Sequence, residues 1–383
     1  MKYRHYILFY IFILSGLSSC IENSKTSKAP IKIDAVCDSI RTIKMECIKL
    51  DSISTSYEIQ TSIVNNEIIA VDPYLCYMYR FSADGHLKRR QLGQGHAKNE
   101  TTIGKIAGHC FSADGKFILI GFQGETSVYD ASGNLEKTVI TDYNNRSKAD
   151  LKTVDCYNNP IVYAKHYEDL ICKEYNGQVY FNVDMFTPVY NIIDKQTDHI
   201  KNVYNIMAVD YSHQGELSLL IKGLPSYYQN DTKSKILFTG AHFDLSNKGD
   251  IYIAHEADSL VYVYDTNQEL KSIYGRAASG IQQDYTKCNN IDDFRDNYMQ
   301  ERSSKGRYTS LEFVDETNLL FRTYQLSDKA ENDRMQIYKE GVLIGNTNIP
   351  KGMHVIGYIS PYYYSQIMSD EDEQSLKIYR FKL

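Results

Sequence analysis

The 383-residue chain is 43% hydrophobic, 23% charged and 12% aromatic, with 33 Tyr, no Trp and a formal charge of −6. That apolar content excludes a wholly disordered polypeptide, and the length suits two or three small domains or one large repetitive one. No stripe of Lys and Arg accompanies the negative balance, so a surface that tracks nucleic-acid phosphates is excluded too.

Lys2 and Arg4 precede an apolar run over 7–14, and Ser15, Gly16, Ser18 and Ser19 then lead to Cys20. Basic, apolar and small-residue stretches in that order predict a secretory signal, with an apolar run too short to cross a bilayer as a helix. Leu17-Ser18-Ser19-Cys20 resembles a bacterial lipobox, in which the cysteine is acylated and becomes the mature N-terminus. Residues 1–19 are therefore read as a signal peptide, Cys20 as the lipid attachment site and 20–42 as a lipidated tether, polar from 21 to Pro30. An acyl anchor needs no membrane-spanning helix. The expected location is the bacterial cell envelope, on the outer rather than the inner membrane. Seven cysteines follow Cys20, an odd number without a C-x-x-C pair, which argues against a zinc knuckle, a thioredoxin-type motif or a complete disulfide framework. Most are expected to be buried small hydrophobes, Cys47 among them.

A unit then recurs in which an apolar run ends in Tyr or Phe and a polar residue, turns through Asp, Asn or Gly, and starts another apolar run. It is clearest at 77–87, 127–135 and 261–270, and weaker at Tyr190-Asn191-Ile192-Ile193-Asp194 and at 336–341. Turns that accept positive φ between alternating runs predict antiparallel hairpins. Ahead of each hairpin a polar turn introduces a buried strand, at 65–71, 113–120, 176–181, 247–254, 315–321 and 355–359. Six such units over 43–383 leave roughly 57 residues each, close to a four-stranded blade of ~40–50 residues plus loops. The fold class predicted is all-β, a six-bladed β-propeller with four-stranded antiparallel blades, rather than the competing pair of β-sandwiches. The run 376–381 would supply a strand of the last blade, with 43–50 beside it to close the ring. Two segments interrupt the pattern: a polar loop at 141–159, and a short helical insertion at 292–305 that would cap one end.

Phe81-Ser82-Ala83-Asp84-Gly85, followed by Leu92-Gly93-Gln94-Gly95-His96 and Asn99-Glu100, resembles the blade motif of the NHL-like and TolB-like six-bladed propeller lipoproteins of Bacteroidetes. The plan of lipobox, tether and six blades extends that resemblance over nearly the whole chain. It implies a propeller fold and an envelope location, although His96-Ala97-Lys98 stands where the family shows a Gly-Pro-like step; His96 and Glu100, in this glycine-rich loop, are counted among the ligand-binding candidates.

No G-x-S-x-G elbow, H-E-x-x-H, Walker loop or dinucleotide fingerprint occurs. His255-Glu256 with Asp258 sits at a strand end, where alternation sends neighbours to opposite faces, and is read as turn residues rather than a metal cluster. Asp265 to Glu269 reads as a hairpin turn rather than a calcium loop, and 370–373 as a solvated acidic loop. No catalytic residue, metal or cofactor is predicted. His109 and His242 each shortly precede the same Phe and polar turn in two repeats, a position that brings both toward the axis if those strands are innermost, so they join the candidates; packing histidines repeated with the blade are the alternative. The expected activity is a binding or scaffolding module for an envelope protein, peptide or glycan at one end of the central channel. A hydrolase or lyase with a channel metal or His–carboxylate site is the second reading. Partners are the membrane, through the lipid, and that ligand, with no nucleic acid.

Overall fold

The computed structural model describes residues 31–33 (backbone pairing only), 43–141, 156–166, 170–185, 193, 196–370 and 372–383. Six antiparallel meanders of four strands stand side by side around an axis, a six-bladed β-propeller. Blade one is Gln60–Val64, Glu67–Val71, Tyr77–Phe81 and Leu87–Leu92; blade two is Ile106–Phe111, Phe117–Gly121, Glu125–Tyr129 and Leu135–Ile140. Blade three is Cys172–Tyr175, Gln178–Met185, Tyr204–Asp210 and Glu216–Lys222; blade four is Ala241–Leu245, Ile251–His255, Val261–Tyr264 and Leu270–Tyr274. Blade five is Arg307–Val314, Leu319–Gln325, Asn332–Lys339 and Val342–Pro350. Blade six takes Val355–Ile359, Tyr362–Asp370 and Ser375–Phe381 from the C-terminal end and its outer strand, Glu46–Lys49, from the other. The strand expected to close the ring therefore does so.

Burial explains the ring. In the second strand of blade one, Ile69 and Val71 pack with Phe117 and Leu119 of blade two, whereas Ile68 and Ala70 pack with Ile367 and Ile378 of blade six. A period of two sends alternate side chains to opposite faces, so each sheet needs a neighbour on both sides. Further seams repeat the arrangement around the ring, and the innermost strand of blade six meets that of blade one. The turns are set locally. Phe-Ser-Ala-Asp-Gly occurs at 81–85 and again at 111–115, and in both copies the Ser backbone N–H donates to the carbonyl four residues on, at 2.9 and 3.0 Å. Gly85 and Gly115 close these turns at φ of 85° and 84°, a conformation that favours glycine.

Because every blade is an up-and-down meander, the links between blades and the links from second to third strand share one face. The long insertions of the described residues fall there, over blades three to five. The helix expected at 292–305 is Ile291–Ser304, capped by the Asn290 side chain and packed on the single turn Ile236–Phe238.

Two readings are corrected, for the strand at 355–359 and for Cys47, and two others fall wholly or partly outside the described residues. The strand at 355–359, grouped with the buried strands that precede a hairpin, is innermost in blade six, whereas the other five are second strands, because Ser360 and Pro361 turn the chain into Tyr362–Asp370, which takes the second place. The weak hairpin at 190–194 lies, except for Ile193, outside the described residues, and the outer hairpin of blade three is built instead from Tyr204–Asp210 and Glu216–Lys222. The loop at 141–159 is described only at its ends, and the latter holds a single helical turn, Cys156–Asn158. Cys47 is exposed rather than buried, since the outermost strand of a blade has no further strand to cover it; Cys76, Cys110, Cys156 and Cys288 are buried, and Cys172 is half-buried. Within the stretch read as a tether, Ile31–Ile33 pairs in parallel with the outer edge of blade four.

A chain lacking residues 46–49 should lose on the order of 3 kcal/mol from the four ladder positions removed, and it should self-associate through the freed edge. Urea unfolding and sedimentation measure both; an unchanged midpoint would mean that this strand does not hold the ring shut.

Candidate functional site in the central channel

The innermost strands enclose a cavity of about 620 Å³ lined by residues of all six blades. Its entrance lies on the face of the long connections, where Glu58, Tyr74, Lys105, Phe122 and His354 surround it. Its deeper part is walled by Gln60, Ser62, His109, Lys173, His242, Thr309, Ser310 and Glu312.

His109 and His242 both stand on innermost strands and line this cavity. Gln60 Nε2 donates to the Ala107 carbonyl at 2.9 Å, which turns Gln60 Oε1 toward His109 Nδ1 at 3.1 Å. Nδ1 therefore carries the proton, and Nε2 accepts from the Ser62 hydroxyl at 2.8 Å. Burial lowers the imidazole to about 4, so the ring is neutral at neutral pH. An edge-on contact with Phe111 and a tilted contact with Phe117 fix its plane.

His96 and Glu100 are not brought to the channel. They lie on the glycine-rich loop outside it, His96 exposed and Glu100 half-buried. Glu100 accepts from the Ala97 backbone N–H at 3.0 Å, and a Cβ on Gly95 would sit 1.8 Å from Glu100 Oε2. The carboxylate thus folds under its own loop, which explains the glycine beside it.

The deep end holds a charged group that sequence reasoning missed. Lys173 of blade three places Nζ 2.8 Å from Asp244 Oδ1 of blade four and 2.8 Å from Glu312 Oε2 of blade five. Asp244 is buried and also accepts from the backbone N–H groups of Leu245 and Phe313, at 2.8 and 2.7 Å. Burial and the adjacent Asp244 charge push the Glu312 carboxyl up, against the pull of Lys173. Burial alone would lower Lys173, but its two carboxylates outweigh that and raise it. The ammonium is thereby stabilised in the wall, and the Glu312 carboxyl takes up a proton more readily than an exposed one. Both acidic members are lone charges between apolar residues, in Phe243-Asp244-Leu245 and Leu311-Glu312-Phe313. That is the signal the sequence offered, but it becomes legible only once the innermost strands are known.

His255, Glu256 and Asp258 are buried and go to separate partners. Glu256 takes a two-pronged ion pair from Arg302 at 2.8 Å each, Asp258 accepts from the Tyr262 hydroxyl at 2.8 Å, and His255 Nε2 faces Asn205 Oδ1 at 3.3 Å. Among the described residues no group of three or more His, Cys, Asp or Glu is arranged to hold a metal ion. Asp265 accepts from the backbone N–H groups of Asn267 and Glu269, as a hairpin turn requires. Asp370 pairs with Lys377 at 2.8 Å.

No family model matches the sequence, and no curated protein matches it. Solved structures do. A member of the DUF4221 family from Bacteroides vulgatus superposes with a TM-score of 0.64, at 11% identity, over 90% of this chain and 98% of that one. A protein assigned as exported, from Bacteroides fragilis, superposes with a TM-score of 0.52, at 11% identity, over 92% of this chain and 99% of that one. At such identity the likeness is one of fold.

Between pH 6.5 and about 4 the unfolded chain binds a proton that folded His109 does not. The stability supplied by the neutral ring is thus complete above pH 6.5 and is lost as pH falls through that window. In His109→Gln the stability deficit relative to the native chain, measured by urea unfolding, should shrink by about 3 kcal/mol from pH 7 to pH 4. A deficit independent of pH would show that His109 titrates normally.

Proposed function

We propose that this chain is an exported propeller lipoprotein, of the NHL-like and TolB-like kind its sequence resembles, that binds a small polar ligand in its channel. The observation that carries this reading is a cavity within the size range of small-molecule sites, lined by all six blades and rich in hydrogen-bonding groups. His109 faces an amide and a hydroxyl rather than a carboxylate, which suits recognition better than proton abstraction and favours a binding module over a hydrolase or lyase. Export and anchoring are supported by the basic, apolar and small-residue order that ends at Cys20, and by the exported assignment of the similar Bacteroides fragilis protein.

Two experiments test it. Cys20→Ser should move the protein from the membrane fraction to the soluble fraction and remove the acyl mass from its N-terminal peptide; membrane retention without that mass would refute the anchor. A panel of sugars, short peptides and nucleosides screened by thermal shift should yield a stabilising ligand. That shift should vanish in Ser62→Trp and in Thr309→Trp, two independent plugs whose folding circular dichroism checks. A shift that survives both plugs would place binding outside the channel.

A further inference from the structure

Among the described residues, Tyr74 and Phe122 are the only exposed Tyr or Phe side chains, at 47% and 37%. Both stand at the channel entrance, on the links between the second and third strands of blades one and two. Every other described Tyr and Phe is at least partly covered by blades or insertions, so two exposed rings at one mouth need a reason. Lys105 bridges the two rings. Lys105 Nζ lies 4.1 Å from the Tyr74 ring centre and 4.9 Å from that of Phe122, and it donates to the Tyr74 hydroxyl at 2.7 Å. Beneath Tyr74, the buried Asp72 accepts from the backbone N–H groups of Tyr74 and Leu75 at 2.9 and 2.8 Å, and from Ser56 N–H at 2.6 Å and the Thr55 hydroxyl at 3.0 Å. The Tyr74 backbone and hydroxyl are thus engaged before any ligand arrives, which lowers the ordering cost of stacking on its ring.

Below them part of the wall consists of uncharged hydrogen-bonding groups, beside the mutually paired Lys173 and Glu312. Gln60, Ser62 and His109, neutral for the reason given above, line one side, and Thr309, Ser310 and Gln366 the other. A rigid aromatic surface above neutral donors and acceptors matches a ligand with an apolar C–H face and a rim of hydroxyls. We infer that the channel mouth is a saccharide site: a sugar ring stacks on the exposed part of Tyr74 and Phe122, and the next unit reaches down to the Gln60, Ser62 and His109 row. Lys105 is engaged by the Tyr74 and Phe122 rings and the Tyr74 hydroxyl, Lys173 is paired with Asp244 and Glu312, and Glu58 at the rim disfavours an anion, so the ligand inferred is an uncharged oligosaccharide. This inference rests on the channel-binding reading and specifies its ligand.

Calorimetry on the full chain, with maltotetraose, xylotetraose, mannotetraose and chitotetraose as probes and tetra-alanine and adenosine as comparisons, tests it. At least one neutral oligosaccharide should bind saturably. Tyr74→Ala and Phe122→Ala should each weaken that binding about tenfold, and Tyr74→Phe should restore most of it. Lys105→Met should weaken it severalfold by releasing the rings. If oligosaccharide binding is lost in Ser62→Trp but unchanged in the Tyr74→Ala, Phe122→Ala double variant, the stacking inference falls and the channel reading stands. The saccharide inference also falls, and the channel reading stands, if only the peptide or nucleoside binds and Ser62→Trp abolishes it. Binding indifferent to both sets of variants overturns both readings, and no binding by any of the four oligosaccharides overturns the saccharide inference.

Discussion

Each sheet in this protein has two apolar faces and can cover neither by itself. The second strands show the constraint most sharply, since Ile68, Ile69, Ala70 and Val71 are all fully buried although neighbours in sequence point opposite ways. A sandwich would cover one face and leave the other wet. Only a ring, in which every sheet lies between two others, covers both with short and protected edges. Ring closure then becomes a property of the whole chain, and it falls to Glu46–Lys49 beside Ser375–Phe381. Arg380 reinforces that junction by bonding Glu46 on the closing strand at 3.0 Å and Asp84 of blade one at 2.8 Å.

The channel follows from the same geometry, because the innermost strands cannot meet at a point. Their inward side chains have no further sheet to pack against, and polar groups can stand there with water or a ligand for company. The charged group deep in the wall, Lys173 with Asp244 and Glu312, joins three successive blades. Its buried carboxylate is satisfied by backbone N–H donors as well as by the lysine, as such a charge must be. Arg322 answers the same demand elsewhere: fully buried, it donates to the Ser259 and Asp258 carbonyls and stacks on Tyr308 at 3.3 Å.

The two ends of the channel differ for a topological reason. Tight turns occupy one face, and the other collects the long connections. The helix and single turns over blades three to five build up that face on one side, while the links from second to third strand in blades one and two are short and leave Tyr74 and Phe122 exposed.

Periodicity and turn chemistry determined the blades. Five of the six second strands and the best three outer hairpins stand where alternating runs and Asn, Asp and Gly turns placed them, because both signals are local and a slip of one residue would invert every face. His109 and His242 could be tied to a repeated turn for the same reason, but that their strands are innermost came from the tertiary structure. Other features were decided only by the tertiary structure. The Lys173, Asp244 and Glu312 group is assembled from positions as far apart as 139 residues, and no local pattern encodes a meeting of three strands at an axis. His96 and Glu100 were drawn to attention by a motif, yet their loop folds back on itself outside the channel. The apolar pattern of a segment tells which side chains must leave water; which of them meet one another, and which polar groups are left to face the space between, depends on how six separate sheets are set around a common line.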